Sequence, residues 1–301
     1  MEPKYTNIAL EKIRVYYQSL KHTVEYTSPL ESKEYDTVYC SSIFDFSEKK
    51  YIHPDWIRGG TGFFEYNNDA MTYTIPKGVE LELPKEIDVV EPHINKGFTT
   101  RGCNNRCPPC VVHFKEGCFK IVGDIYTLWD GNAKLVICYD NNILENPEHF
   151  EHNAKIAIKH KIKLDYNQGL DHKKLTPEIV DVMKVMPHKE YHFAFDKPQY
   201  INSVEKAINL LQSKGIMRCD WYVLCGYDTD QKEDLFRLNY LRERNQNAYV
   251  QRYQTKENKE NPYYISLARW VNQHHIFQGM TWEQFLKHPS NKTHRYLLGG
   301  N

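Results

Sequence analysis

Thr99-Thr100-Arg101-Gly102-Cys103-Asn104-Asn105-Arg106-Cys107-Pro108-Pro109-Cys110-Val111-Val112-His113 sets three cysteines at a C-x3-C-x2-C spacing, directly after the strand-like run Gly97-Phe98-Thr99-Thr100. Soft thiolate donors select iron–sulfur clusters or zinc. Thiolates at this spacing can wrap three corners of a cubane cluster and leave one iron open, which is what catalysis asks of a metal centre. The competing reading is zinc. His113 would complete a Cys3His shell with Cys103, Cys107 and Cys110, closing it and making a structural site in a non-catalytic protein. Structural zinc sites usually draw on two separated ligand pairs, and the sequence offers no second pair.

Working outward, apolar strand-like segments end near Thr100, Tyr139, Tyr166, Phe195, Leu224 and Arg252, with helix-like stretches between most of them. In the stretch 203–214, Val204, Ala207, Ile208 and Leu211 share one helical face. The strand ends recur at about 30 residues or slightly more, the length of a βαβ unit, which implies a parallel sheet with right-handed crossovers. Six such units are too few for an eight-stranded closed barrel, so the expectation for 93–254 is an open, partial (βα)6 TIM-like barrel.

Residues 1–92 read as a smaller α/β region. It has a helix over 6–20 with Ile13, Tyr17 and Leu20 on one face, strand-like runs at 23–27 and 35–41, and a glycine turn at Arg58-Gly59-Gly60-Thr61-Gly62-Phe63. That turn either brings backbone N–H groups to a ligand or joins two strands tightly. Past Arg252, a polar loop is expected over 256–261. A C-terminal helical extension over 255–301 carries an apolar stripe of Tyr264, Leu267, Trp270 and Val271, a capping box at Thr281 and Gln284, and a weakly ordered tail over 289–301.

Composition limits the function classes. The 39 basic residues equal the 39 acidic ones, so no global field draws nucleic acid. No apolar run reaches the roughly 18 residues of a membrane span, and Met1-Glu2-Pro3-Lys4-Tyr5 lacks the layout of a signal peptide. A cytoplasmic address is the expectation. Eight cysteines in 301 residues are too sparse for a disulfide scaffold, and only three of them cluster. The usual nucleotide-loop, serine-hydrolase and zinc-protease signatures are missing.

The cysteine spacing, placed after the first strand of a six-fold βα pattern, resembles the radical S-adenosylmethionine superfamily over about 98–254. The resemblance implies a [4Fe–4S] cluster on Cys103, Cys107 and Cys110, with S-adenosylmethionine chelating the fourth iron through its amino and carboxylate groups. One electron, from a donor such as flavodoxin or ferredoxin, would then break the sulfonium bond and yield a 5′-deoxyadenosyl radical that abstracts hydrogen from a substrate. By strand position, Asp140, Asn141 and Asn142 would meet the methionine amine, and Gln168 (beside Asn167) and Asp196 the carboxylate or ribose. Gly226, followed by Thr229 and Glu233, would lie against adenine, and Arg252 would face the same cavity. Each of these has a plainer reading, because Asp and Asn at strand ends commonly cap the next helix.

Two departures stand out. The position before the third cysteine, usually aromatic in this superfamily, is Pro109. The N-terminal region is reminiscent of a cobalamin-binding module, which would make the chain a methyl- or methylthiotransferase acting on RNA or protein. No Asp-x-His-x-x-Gly motif surrounds His22, His53 or His93 to supply the cobalt ligand.

Other chemistry-bearing residues have bland readings. Cys225 at a strand end reads as a small packing thiol, the alternative being a hydrogen-atom donor or a substrate-holding thiol. Lys155, Lys159, Lys161 and Lys163 read as the solvated side of a crossover helix, the alternative being an RNA contact. Anaerobic reconstitution is expected to load about four irons per chain with broad visible absorbance; stoichiometric zinc without iron would contradict the cluster reading.

Overall fold

The structure, a computed structural model, describes residues 5–45, 47–67, 72–253, 258 and 260–288. The chain is mixed α/β and forms two compact units, Met1–Ala133 and Lys134–Asn301. The expected boundary at Pro92 falls inside the first unit. Of the expected loop over 256–261 only part lies within the described residues, and Gln254 and the tail over 289–301 lie outside them.

The first unit opens with helix α1 (Ile8–Ser19), capped where the Asn7 side chain accepts the Leu10 N–H at 3.2 Å, with Ile13 buried as the periodicity predicts. Strands β1 (Tyr39–Ser41), β2 (Ile57–Gly59) and β5 (Val79–Glu80) make a parallel sheet in the order β1-β2-β5. Strands β3 (Glu65–Asn67) and β4 (Thr72–Thr74) form an antiparallel pair with Tyr66 opposite Tyr73. The run at 23–27 is not a strand: among the described residues no segment pairs with it, and Tyr26 turns out to solvent and donates its hydroxyl to Glu11 at 2.6 Å. The glycine turn follows β2 and is pressed against the segment after β1. A Cβ at Gly60 would stand 2.3 Å from the Ser42 carbonyl oxygen, and one at Gly62 would stand 2.4 Å from that of Phe44. Close packing of two loops explains those glycines. Helix α2 (Lys85–Asp88) and the short strands β6 (Lys96–Gly97), β7 (Thr100–Arg101) and β8 (Lys120–Ile121) follow, with helix α3 (Val112–Lys115) between β7 and β8 and helix α4 (Ile125–Leu128) after β8.

The second unit is the regular part. Strands β9 (Leu135–Cys138) and β10 (Lys163–Tyr166) pair in parallel, and β11 (His192–Ala194), β12 (Asp220–Cys225) and β13 (Asn247–Arg252) form a parallel sheet in chain order. A parallel bridge between Leu164 and His188 extends the pattern from β10 toward β11. Four helices make the crossovers: α5 (Pro147–His160), α6 (Pro177–Val185), α7 (Ile201–Ser213) and α8 (Gln231–Glu243). Their starts are written locally. Asn146 and Thr176 cap α5 and α6 with proline as the next residue, and Asp230 with Glu233 closes a capping box on α8.

Alternation then separates two faces of these strands. Val136, Cys138, Leu164, Tyr166, Phe193, Trp221, Val223, Ala248 and Val250 are buried, while Tyr222, Leu224 and Tyr249 on the opposite face are at least partly exposed. On α7 the four buried residues are Val204, Ala207, Ile208 and Leu211, the face read from sequence. Helix α9 (Pro262–Val271) buries Tyr264, Leu267, Trp270 and Val271 as expected. It is followed by α10 (His274–Gly279) and by α11 (Trp282–Lys287), which carries the Thr281–Gln284 capping box. Lys155 is exposed and paired with Glu151 at 2.8 Å, consistent with a solvated helix side. Among the described residues no helix is long and apolar enough to cross a membrane.

Asp234 and Arg237 on α8 form an ion pair whose side chains are both fully buried. Arg237 donates to the Phe195 carbonyl at 2.7 Å and the Leu224 carbonyl at 2.9 Å, while Asp234 accepts the Gly226 N–H at 3.1 Å and the Thr229 hydroxyl at 2.5 Å. One helix thereby fastens the C-terminal ends of two neighbouring strands. Removing either partner strands a buried charge. Arg237→Ala or Asp234→Ala is expected to cost about 3–5 kcal/mol in urea unfolding; a loss under about 1 kcal/mol, the value of an exposed pair, would contradict this role.

Candidate functional site: the cysteine loop and the strand ends

In the first unit, β7 and β8 pair antiparallel, with Thr100 opposite Ile121 and Arg101 opposite Lys120. This antiparallel return was not read from the sequence, which placed the cysteines on a short loop directly after a strand. The helix after the cysteines is a single turn, α3, and the chain returns at once through Gly117, which holds a positive φ of 72°. The cysteines thus sit on an excursion closed at its base.

Further bonds tighten that base. The Cys103 N–H donates to the Gly117 carbonyl at 3.2 Å, and the Phe119 N–H donates to the Asn104 side chain at 3.2 Å. Glu116 ties the two limbs, accepting the Gly102 N–H at 3.0 Å and pairing with the Arg101 guanidinium at 2.7 Å. Gly102 has φ of 74°, and a Cβ there would lie 2.2 Å from the Cys118 carbonyl oxygen. No side chain fits that approach.

All eight cysteines are reduced thiols; Cys103 is half-buried, and Cys107 and Cys110 are exposed. The Asn105 N–H donates to Cys103 Sγ at 3.4 Å, the kind of dipole that stabilises a thiolate, and the Cys110 N–H donates to the Cys107 carbonyl at 2.7 Å. Among the described residues no group of three His, Cys, Asp or Glu side chains is arranged as a metal shell. The donor set itself fits an iron–sulfur cluster: three accessible soft donors within 103–110, on a loop whose base is pinned. The fourth donor of the zinc reading, His113, lies on α3 with a buried Nδ1 that makes no hydrogen bond. The Tyr73 hydroxyl donates to the Pro109 carbonyl at 2.6 Å, occupying one lone pair of the carbonyl just before Cys110.

The remaining predicted residues belong to the second unit, where each follows or ends a parallel strand. Asp140, Asn141 and Asn142 come after β9; Asp140 and Asn142 are buried, and Asn142 donates to Glu145 at 3.1 Å. Gln168 follows β10, is exposed, and donates to Asn167 at 3.2 Å. Asp196 follows β11 and accepts the Leu224 N–H at 3.0 Å. Burial outweighs that bond and pushes its carboxyl above the ordinary aspartate value. Gly226 follows β12 with φ of 76°, its carbonyl accepting the Asn258 amide at 2.6 Å. Arg252 ends β13 opposite Cys225. Asp196, Gly226 and Arg252 thus stand at one edge of one three-stranded sheet, and Asp140 and Gln168 at the corresponding edge of the β9–β10 pair. Cys225 is fully buried, and burial raises its thiol well above the ordinary value, which suits a packing role.

Several contributors were not read from sequence. Asp234 and Arg237 were visible only as an i,i+3 pair on a helix, and their burial is a tertiary fact. Glu116 bonds a residue 14 positions away, and Tyr73 one 36 positions away, so neither leaves a local signal. Asp165 and His192 approach across neighbouring strands at 3.6 Å, with His192 stacked on Tyr222 at 5.2 Å.

No family model matches this sequence, and no curated protein is similar to it.

Gly102→Ala is expected to cost about 1–3 kcal/mol from the forced backbone conformation and contact. The checks are a lowered melting temperature and faster alkylation of Cys103; a variant indistinguishable from wild type in both would contradict the pinned-base geometry.

Proposed function

We propose that this chain is a radical S-adenosylmethionine enzyme built on a partial (βα)6 barrel whose last five strands are β9–β13. The observation that carries the reading is three accessible thiols on one pinned loop, preceding in the chain a run of parallel strands that end in polar residues. In this reading Cys103, Cys107 and Cys110 hold a [4Fe–4S] cluster, and Asp140, Asn141, Asn142, Gln168, Asp196, Gly226 and Arg252 are the contacts to S-adenosylmethionine. When bound, the reduced cluster supplies the electron that cleaves the cofactor's sulfonium bond, giving a deoxyadenosyl radical that takes a hydrogen atom from substrate.

The protein's part is positioning. Glu116 and Gly102 fix the base of the loop so that the thiols are presented from one short segment. The Asp234–Arg237 pair fixes the backbone at Phe195, Leu224 and Gly226, so residues at those strand ends face a ligand from a rigid edge. Asp196, whose carboxyl burial pushes above the ordinary aspartate value, would meet the ribose or carboxylate. The reading implies a one-electron donor of the flavodoxin or ferredoxin kind and a cytoplasmic, reducing setting.

Incubated anaerobically with reductant and S-adenosylmethionine, the reconstituted chain is expected to release 5′-deoxyadenosine and methionine. Cys107→Ala should remove that product while leaving the far-ultraviolet circular dichroism unchanged; undiminished deoxyadenosine from the variant would overturn the assignment.

A further inference from the structure

A cavity of about 170 Å³ lies beside the cysteine loop, within the first unit. Its walls come from the β3–β4 hairpin (Tyr66, Thr72, Tyr73) and from the loop and α3 (Arg106, Cys110, His113). Pro108, Pro109 and Phe114 complete the lining.

Three properties define what it takes. The first is shape. Tyr66 and Tyr73 meet with centroids 4.8 Å apart at 48°, and Phe114 stands 5.8 Å from Tyr73, so a cluster of aromatic rings lines the space. Such faces favour a flat ring in offset or edge contact. The second is size. A cavity of about 150 Å³ accommodates a benzene ring, so this one holds a single ring with a small substituent and not a purine nucleoside. The third is charge. Among the described residues the lining includes Arg106 and no carboxylate, and His113 Nδ1 is buried without a hydrogen-bond partner. A guanidinium prefers a planar anion such as carboxylate, which it can meet with two parallel N–H bonds. The hairpin wall is anchored to the loop by the Tyr73 hydroxyl on the Pro109 carbonyl at 2.6 Å, so the cavity and the thiols keep company.

We infer that this cavity binds a single-ring aromatic or heteroaromatic carboxylate, its ring held among Tyr66, Tyr73 and Phe114 and its carboxylate facing Arg106, as the substrate of the loop beside it. The word substrate rests on the radical reading; the binding does not.

Saturation-transfer NMR and calorimetric titration on the full chain test this with benzoate and nicotinate as probes. Benzamide serves as the uncharged ring, cyclohexanecarboxylate as the non-planar acid and adenosine as the cofactor's base. Both aromatic acids should bind, and benzamide should be weaker by about tenfold, the value of a charge-assisted contact. Cyclohexanecarboxylate and adenosine should also be weaker, the first for want of a flat ring and the second for its size and missing carboxylate. Arg106→Gln should weaken benzoate by a similar factor of about ten, and Tyr66→Ala should weaken ring binding, with circular dichroism confirming both folds. Running the series on reconstituted wild type and on Cys107→Ala separates the two claims. Benzoate binding retained in Cys107→Ala upholds the cavity whatever becomes of the cluster. No benzoate binding up to about 10 mM, weaker than any useful site, overturns the inference. So does benzoate binding indifferent to Arg106→Gln, or adenosine binding at least as tightly as benzoate.

Discussion

The candidate site depends on the close approach of Gly102 to the Cys118 carbonyl, where only a hydrogen fits. That contact brings the two limbs of the cysteine excursion together, and Glu116 seals it with a bond to the Gly102 amide and an ion pair to Arg101. A metal-binding loop faces a particular difficulty: its ligands repel one another as thiolates and lose chain freedom when they converge. Pinning the base removes part of that entropy cost before any metal arrives. The sulfurs are left accessible on the loop, and a half-buried Cys103 already receives a backbone N–H.

The second unit meets a different constraint. Parallel strands demand crossovers, and crossover helices bury one face of the sheet, so polar chemistry is confined to the opposite face and to the strand ends. The buried face here is dominated by valine, leucine, phenylalanine and tryptophan; Asp140, Gln168 and Asp196 stand two positions past the ends of their strands, and Arg252 is on the last rung of β13. The fully buried Asp234–Arg237 pair adds rigidity at that edge by bonding backbone carbonyls and an amide that the strands leave unpaired. Buried ion pairs of this kind contribute little net stability compared with apolar packing, and their use lies in specifying one arrangement.

Much of this architecture was legible from residues alone. The strand ends at Tyr166, Leu224 and Arg252, the apolar face of α7, and the capping box of α11 follow from short-range periodicity and cap chemistry, which tertiary contacts did not override. The failures share a cause. The run at 23–27 alternates like a strand but finds no partner among the described residues, because pairing is a property of two segments. The stretch after the cysteines turns back at Gly117, a return set by the pairing of Thr100 with Ile121 that no local pattern announces. The glycine turn at 59–62 carries the same letters whether it cradles a ligand or clears a carbonyl, and only the distances to Ser42 and Phe44 tell them apart. Of the candidate site, the thiol spacing was readable, whereas Glu116, Tyr73 and the buried α8 pair act across sequence separations or through burial that no local pattern encodes.

The central claim is that the loop at 103–110 holds a cluster with one corner open to S-adenosylmethionine. Low-temperature electron paramagnetic resonance of the reconstituted, dithionite-reduced chain addresses it directly. The account predicts the signal of a single reduced cluster whose line shape changes when S-adenosylmethionine is added, because the cofactor enters the coordination shell. A spectrum with no cluster signal, or one that the cofactor leaves unaltered, would contradict it.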